Sequence, residues 1–598
     1  MKNILNTLLF SFILLSSCNK DVLDKKPLDI ITDETVWGDK TLIDSYLAQI
    51  YSEMYFFANE STGSGWPGDA WVEVYAVNEV SDECMPQWRD WEEALSKWRY
   101  KHGNLKISGG LMEYWGYGTI RKINEFIDRV PTSPLEPEAA KGKIAESRFL
   151  RAFAYFAMVK RYGGIPLITK AQKISDPQEE LFPVRDKEET IYDFVISEID
   201  AIVNDLPETV TSANIGRPTK YAALALKSRA ALYAGSIGQF GTVQLNGIVG
   251  IPSAKVTNYY QASYDASKAI IASGKYALYN LDANKAMNFR NIFLVKNNSE
   301  VIFAKRHDNV NWLAGGNGWN VDFWQCPRPH AWGRGNNDGA YLELAEAFEH
   351  IDGTSGKLDK TVVEQGLWTT DELWANKDPR FFGTFYTQGT PWKGDKLDFH
   401  KGIRLPDGTI QTDGSYEGKL ANGNQDFDGT CLGILKYLDE SHDNMAGANS
   451  GWATSSQDWQ IFRYAEILLN YSEAAFELGK TADALDAINQ IRNRAGIATL
   501  STITRDKIRN ERRVELAFEG HRYWDLRRWR TAVSDLSKYW SGIRYILDAQ
   551  TGKYQIMIVD KIDGTTNVPQ FRPENYYFPI TLSRTGNNPN LVENPGYQ

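Results

Sequence analysis

Hydrophobic and polar positions along the chain fall into two regimes. In the first, apolar residues return every three or four positions, the spacing that lines one face of a helix. Residues 35–55 show it with Val36, Leu42, Ile43, Leu47, Ile50 and Tyr51. The pattern resumes at 111–130 and is strongest in AESRFLRAFAYFAMVKRYGG at 145–164. There Phe149, Phe153, Phe156 and Ala157 line one face, and Ala152 and Ala154 leave room for close helix approach. Gly163-Gly164 predicts the helix end, and Pro166 prevents its return. Further helices are predicted at 188–206, 218–234 and 258–273. In the second regime, between about 276 and 455, Gly, Asn, Asp, Trp and Pro are dense and helical spacing is scarce. Helices return at 462–497, where Tyr464, Ile467, Leu468, Tyr471, Ala474, Ala475 and Leu478 precede Gly479, and Ala484, Leu485, Ile488 and Ile491 follow it.

Two antiparallel helices in about 34 residues, with Ala at the contacts, resemble a tetratricopeptide unit. Residues 220–274 repeat the design with a longer connection. The predicted fold class is mostly α: a tetratricopeptide-like helical-repeat scaffold with a large loop-rich, irregular ligand-binding region. An irregular insertion of that size is uncommon unless it carries function. The pattern divides the chain into a leader at 1–17, a tether at 18–34, and scaffold at 35–275 with a Trp-rich insert at 56–110. The loop-rich region follows at 276–455, more scaffold at 456–530, and an irregular C-terminal segment packing on the scaffold at 531–598.

Composition changes this picture in two places. A length of 598 residues exceeds what one core usually needs. The formal net charge of −10, without a basic stripe, argues against nucleic acid as a partner. Aromatic content is 13%, with 19 Trp, and the tryptophans cluster. Trp66, Trp71, Trp88, Trp91 and Trp98 fall within 65–98, and Trp312, Trp319, Trp324 and Trp332 within 311–332. Trp91 and Trp98 have the spacing of one helix face and read as packing. Trp66, Trp71, Trp312, Trp319 and Trp324 sit beside Gly, Pro or Asn and read as loop. Such rings serve either packing or ligand contact. A pyranose can lay its C–H face on an indole while carboxylate and amide side chains take its hydroxyls. Asp69, Asn311, Asn317, Asn320 and Asp322 are neighbours of the right kind. A sugar-stacking platform is therefore expected, with Trp66, Asp69, Trp71, Trp312, Trp319, Asn320, Asp322, Trp324 and Trp332 as its candidates.

The N-terminus, MKNILNTLLFSFILLSSC, has Lys2, an apolar run too short to span a bilayer permanently, and then Ser16-Ser17-Cys18. Its end resembles a bacterial lipobox, which predicts lipidation at Cys18 and a membrane anchor. Cys84, Cys326 and Cys431 have spacings too long for a metal motif and are expected to be free thiols.

Taken in order, these segments resemble the SusD/RagB family. The motifs are Cys18 with TDETVW at 32–37, FLRAFAYFAMVKRYGGIPLI at 149–168, LELAEAFEHIDG at 342–353 and DPRFF at 378–382. They continue with FRYAEILLNYSEAAFELG at 462–479, NERRVELAFEGHRYWDLRRW at 510–529, FPIT at 578–581 and NPNLVENPGY at 588–597. The resemblance implies an outer-membrane lipoprotein of Bacteroidetes, facing the cell exterior. It implies capture of a nutrient glycan and partnership with a SusC-like TonB-dependent transporter barrel. It implies no catalysis, and no cofactor is expected. Capture of peptides or another non-sugar nutrient, a surface glycoside hydrolase, and a purely structural lid are the rival readings.

Two further patterns bear on chemistry. Residues 510–528 place Glu511, Glu515, Glu519, His521 and Asp525 among arginines. Arg512 with Glu515, and Asp525 with Arg528, fall at i,i+3, so mutual support on one helix surface is expected rather than catalysis. Asn424, Asp426 and Asp428 alternate before Gly429 as in a calcium loop. Leu435 stands where the bidentate Glu is needed, so an ordinary turn is the default. Asp69 and Asp322 could pair for glycoside hydrolysis, but sequence does not fix their separation. No HExxH, P-loop or GxSxG pattern occurs.

Overall fold

The computed structural model describes residues 33–54, 56, 76–86, 112–310, 314–332, 335–336, 338–420, 430–447, 450–451, 453–562 and 568–597. Cys18, Trp66, Asp69, Trp71, Trp88, Trp91, Trp98, Asn311, Trp312, Asn424, Asp426 and Asp428 lie outside the described residues.

The periodic segments are helices: α1 (Lys40–Glu53), α2 (Tyr117–Arg129), α3 (Pro137–Tyr162), α4 (Glu188–Ile202), α5 (Lys220–Phe240) and α6 (Val256–Ala272). After them come α7 (Lys285–Leu294), α8 (Val321–Gln325), α9 (Tyr464–Glu477), α10 (Thr481–Ala495), α11 (Arg505–Glu515) and α12 (Arg522–Arg528). Their ends follow local chemistry. The Asp39 carboxylate accepts from the N–H groups of Thr41 and Leu42 at the head of α1. Pro137 opens α3, and Gly163, at φ 73°, closes it.

The long helices form a row in which each packs on the next: α1 on α2, then α3, α4, α5 and α6, and from α6 directly to α9 and α10. α5 runs to Phe240, beyond the expected end near 234. The small residues that read as a terminus, Gly235 and Gly238, are sites of close helix contact. A Cβ on Gly235 would come within 3.0 Å of the Tyr260 ring, and one on Gly238 within 2.9 Å of Val256. A bond between the Ser228 and Ser267 hydroxyls, 2.7 Å long, joins α5 to α6 in the same buried interface.

The chain leaves this row after α6 and re-enters it at α9. The intervening insertion is closed at its neck by two antiparallel strands, β2 (Val301–Lys305) and β6 (Trp459–Arg463), with Lys305 opposite Trp459. A second, small antiparallel sheet has the order β1 (Cys84–Pro86), β3 (Asp338–Ala340), β5 (Gly433–Ile434), β4 (Phe385–Tyr386). The C-terminal segment, expected to be irregular, carries the antiparallel hairpin β7 (Gly542–Asp548) and β8 (Tyr554–Val559). Short strands of the insertion extend that hairpin to a five-stranded sheet. Cys84, Cys326 and Cys431 are buried and form no disulfide.

Insertion and row are locked together by buried ions. Glu515 of α11 bridges Arg463, Arg494 and Arg380. Glu300 shares Arg463 Nη1 with Glu515 and takes the other nitrogen, Nη1, of Arg494. Glu519 pairs with Arg463 and Lys436, and Arg380 also meets Asp378 and Glu511. Arg380 and Lys436 belong to the insertion, while Glu511, Glu515 and Glu519 belong to the row, so the network is a rivet between them. The segment 510–529 is therefore structural, but not as the i,i+3 spacing suggests. It is two helices with a turn between them. Arg512 turns away from Glu515 to pair with Asp525 at 2.7 Å. The Asp525–Arg528 pair forms as expected, at 2.8 Å.

Candidate functional site

The tryptophan-rich stretch of the insertion packs on the segment 437–459. The two run together through a bridge between Trp319 and Ser455, whose N–H groups donate to each other's carbonyls at 3.1 and 2.9 Å. The Trp319 ring stacks on the His307 imidazole, with centroids 5.1 Å apart and planes 14° apart. It meets Tyr437 and Trp459 edge-on, and those two rings stack on each other at 5.1 Å. Burial, with the nearby charge of Lys305, holds the His307 imidazole well below its ordinary value, so it packs as a neutral ring.

The expectation of solvent-facing loop rings fails here. Trp319 is 1% exposed and Trp324, on α8, is 4% exposed. Neither offers a free face. The reason is long-range: His307, Tyr437 and Trp459 come from both sides of the neck to cover Trp319, and no local period announces them. Asn320 and Asp322 are also buried. Asp322 is a bracket. One carboxylate oxygen accepts from the Asp439 N–H at 2.7 Å and the other from the Gln457 amide at 2.8 Å. Its own N–H donates to Ser455 Oγ. Burial pushes its carboxyl up to about 6, against the opposing influence of His442. A carboxylate spent on backbone and amide donors is poorly placed to attack a glycosidic bond. Asn317, similarly, donates to the Arg306 carbonyl.

Trp332 behaves differently. It is 57% exposed, and among the described tryptophans it alone is exposed. Its backbone is left-handed, at φ 53°, a conformation that non-glycine residues adopt only where surroundings hold it. Phe323 supports the ring, edge to face at 5.1 Å, and Trp324 in turn packs against Phe323 at 5.1 Å. Beside it stands Met445, 46% exposed, whose sulfur accepts from the Trp332 backbone N–H at 3.4 Å. Asn444 fixes this corner by donating to the carbonyls of Asp322 and His330. The arrangement is an apolar ridge of one indole and one thioether on a buried aromatic base. Composition points to Trp332 but not to Met445, Asn444, Tyr437 or His307, which carry no periodicity and lie apart in the chain. Among the described residues there is no cluster of three or more His, Cys, Asp or Glu able to hold a metal, and no helix long and apolar enough to cross a membrane.

Comparison with known proteins gives this geometry a family. Residues 299–597, most of the insertion with the C-terminal scaffold, match the SusD family model. Residues 21–232 match a second model, described as starch-binding associating with outer membrane. A SusD-like protein of Bacteroides ovatus is 25% identical, over 100% of this chain and 98% of its own. The starch-binding protein SusD of Bacteroides thetaiotaomicron is 24% identical, over 88% of this chain and 85% of its own. The crystal structure of a SusD-like protein from Bacteroides fragilis superposes with a TM-score of 0.74 at 26% identity, covering 96% of this chain and 100% of that one. The helical row, its insertion and the order of the motifs thus have one source: the chain belongs to the SusD family.

Proposed function

We propose that this protein is a non-catalytic glycan-binding lipoprotein of the outer membrane, which captures an oligosaccharide or polysaccharide at the cell surface and passes it to a SusC-like TonB-dependent transporter. The observation that carries the reading is Trp332: a large ring held outward on a left-handed backbone, with an apolar exposure that packing does not require. An indole standing on a rigid aromatic base suits the C–H face of a sugar ring. Support for a carbohydrate ligand comes from the starch-binding relative and from the outer-membrane family model that matches the N-terminal part of the chain. The lipobox at Cys18 supplies the anchor in this scheme. The candidates Trp66, Asp69, Trp71 and Trp312 belong to the same proposal as additional contacts, while Trp319, Asn320, Asp322 and Trp324 act as its foundation.

Affinity electrophoresis against a panel of polysaccharides tests the ligand class, with wild type and Trp332→Ala run side by side. Retardation by one glycan that is lost in the variant is the expected outcome. Binding of peptides and of no glycan would replace the reading with the rival one. Gentle extraction of tagged protein from native membranes tests delivery: a large β-barrel should co-purify.

A further inference from the structure

Away from the tryptophans, the seam between the end of α5 and the C-terminal segment holds a cavity of about 410 Å³. That is within the size range of small-ligand sites. None of its walls comes from the insertion. Phe240, Gln244, Arg530, Glu574, Tyr576 and Tyr577 line it, together with glycines and prolines. Arg530 is the unusual member. Its backbone is left-handed, at φ 57°. Its Nη1 donates to the Arg527 carbonyl at 2.9 Å and its Nη2 to the Tyr577 hydroxyl at 2.6 Å. The guanidinium lies 4.7 and 5.0 Å from the ring centres of Tyr576 and Tyr577. Those bonds engage two of its five N–H groups.

Most buried arginines of this protein face carboxylates, as Arg463, Arg494, Arg512 and Arg528 do. Arg527, also buried, and Arg530, half-buried, do not: among the described residues, neither has a carboxylate at ion-pair distance. Arg527 is 2% exposed, and among the described residues its Nε and Nη1 have no hydrogen-bond partner. Burial lowers the pKa of its guanidinium, and the neighbouring charge of Arg530 adds to the effect. It lines a recess about one water in size that shares Arg530, Tyr576 and Tyr577 with the cavity. Lys160 and Arg528 face the same recess, Arg528 being matched by Glu473 and Asp525. Two acids share the site: Glu188 lines the recess, where burial raises its carboxyl against the opposing charge of Arg530, and Glu574 lines the cavity. Glu188 accepts from the Gly250 N–H and the Tyr577 hydroxyl, and Glu574 stands 4.0 Å from Arg572. With Arg528 matched and Glu188 set against Lys160, Arg527 and Arg530, the inner end of this cavity keeps a positive surplus.

We propose that this cavity is a second ligand site, selective for a small sugar acid: a uronate whose carboxylate meets Arg530. A planar guanidinium matches a carboxylate through two parallel hydrogen bonds, which gives direction as well as charge. Phe240 and the tyrosines offer an apolar wall to the ring, and Gln244 and Glu574 offer partners to its hydroxyls. The proposal does not rest on the Trp332 ridge, and the two are separable by experiment.

Calorimetry on the full-length protein, titrated with galacturonate, galactose, acetate and an acetylated dipeptide, tests it. Galacturonate should bind with a Kd of about 1 mM, and the other three about tenfold more weakly or not at all. Added salt should weaken galacturonate binding. Arg530→Asn, which suits the left-handed backbone, should weaken it about tenfold or more, and Gln244→Ala about threefold, while Trp332→Ala leaves it unchanged. Should Arg530→Asn fail to fold, the selectivity of wild type together with Gln244→Ala decides. Absence of galacturonate binding overturns the proposal, as does equal binding of galactose, acetate or the dipeptide. So does a folded Arg530→Asn, or failing that a Gln244→Ala, that binds galacturonate as wild type does.

Discussion

The helical row and the insertion bury aromatic rings by opposite means. In α3, Phe149, Phe153 and Phe156 recur at helical intervals and are all buried. Burial there follows from a period of 3.6: Phe156 meets Tyr192 and Tyr233 of the neighbouring helices, and Phe149 and Phe153 meet Phe303 and Phe462 of the neck strands. In the insertion, Trp319 lies more than a hundred positions from Tyr437 and Trp459, and the three share no period. Their burial depends on the β2–β6 neck and on single polar brackets such as Asp322 and Asn444. The row distributes its stability over many equivalent contacts. The insertion concentrates it in a few irreplaceable ones, and so it can hold an exposed ring rigid at its surface.

The sharpest way to break the contrast is to remove the rivet between the two regions. Burial alone would raise the Glu515 carboxyl, but Arg494, Arg463 and Arg380 together hold it well below its ordinary value. Glu515→Ala leaves those three cations short of a partner and should cost about 3–5 kcal/mol in denaturant unfolding. The sign of the pH effect follows from the lowered value. Glu515 contributes its stability in full above the ordinary carboxylate range, and the contribution fades as pH falls toward the folded-state value. The acid-side loss of stability should therefore be shallower in the variant. An unchanged unfolding midpoint would mean that the network holds nothing together.

Trp319→Ala attacks the insertion alone. It empties the centre of the His307–Tyr437–Trp459 stack and should cost about 3 kcal/mol, followed by near-ultraviolet circular dichroism and thermal melting. Gly164→Ala attacks the row alone. A Cβ there would sit 1.9 Å from the Asp186 carbonyl oxygen, so backbone has to move, at about 2 kcal/mol. The two variants should differ in what they spare: the first should abolish glycan capture, the second should leave it intact below its melting temperature.

The same contrast explains what is legible in the sequence. Helices α1 to α6, α9 and α10 can be read because each carries its own face. The pattern ends α5 too early because Gly235 and Gly238 look like a stop until Tyr260 and Val256 are seen pressing on them. Of the site, composition points to Trp332. That Trp319 is foundation rather than surface is illegible, since Tyr437 and Trp459 reach it from more than a hundred positions away. Trp324 sits on α8, a helix too short for a period to show. Spacing assigns Arg512 to Glu515, whereas the turn before α12 hands it to Asp525. Local rules fail where the partner is chosen by topology.

The smallest effect on stability belongs to Trp332, and it is the most discriminating. If the ridge is a ligand surface, Trp332→Ala removes a ring whose exposed face supports little, so the unfolding free energy should change by no more than about 0.5 kcal/mol. Ring stacking contributes about 1–2 kcal/mol by analogy with bases on aromatics, so glycan affinity should fall roughly 5- to 30-fold. Stacking on a neutral sugar releases no counterions, and the loss should be the same at low and high salt. Met445→Ala should weaken binding less, since a thioether offers a smaller apolar face than an indole. Trp319→Ala supplies the contrast: it should lose stability first and binding as a consequence. If instead Trp332→Ala loses several kcal/mol of stability along with binding, the ring is part of the same core as Trp319, and the ligand surface must be sought elsewhere on the insertion.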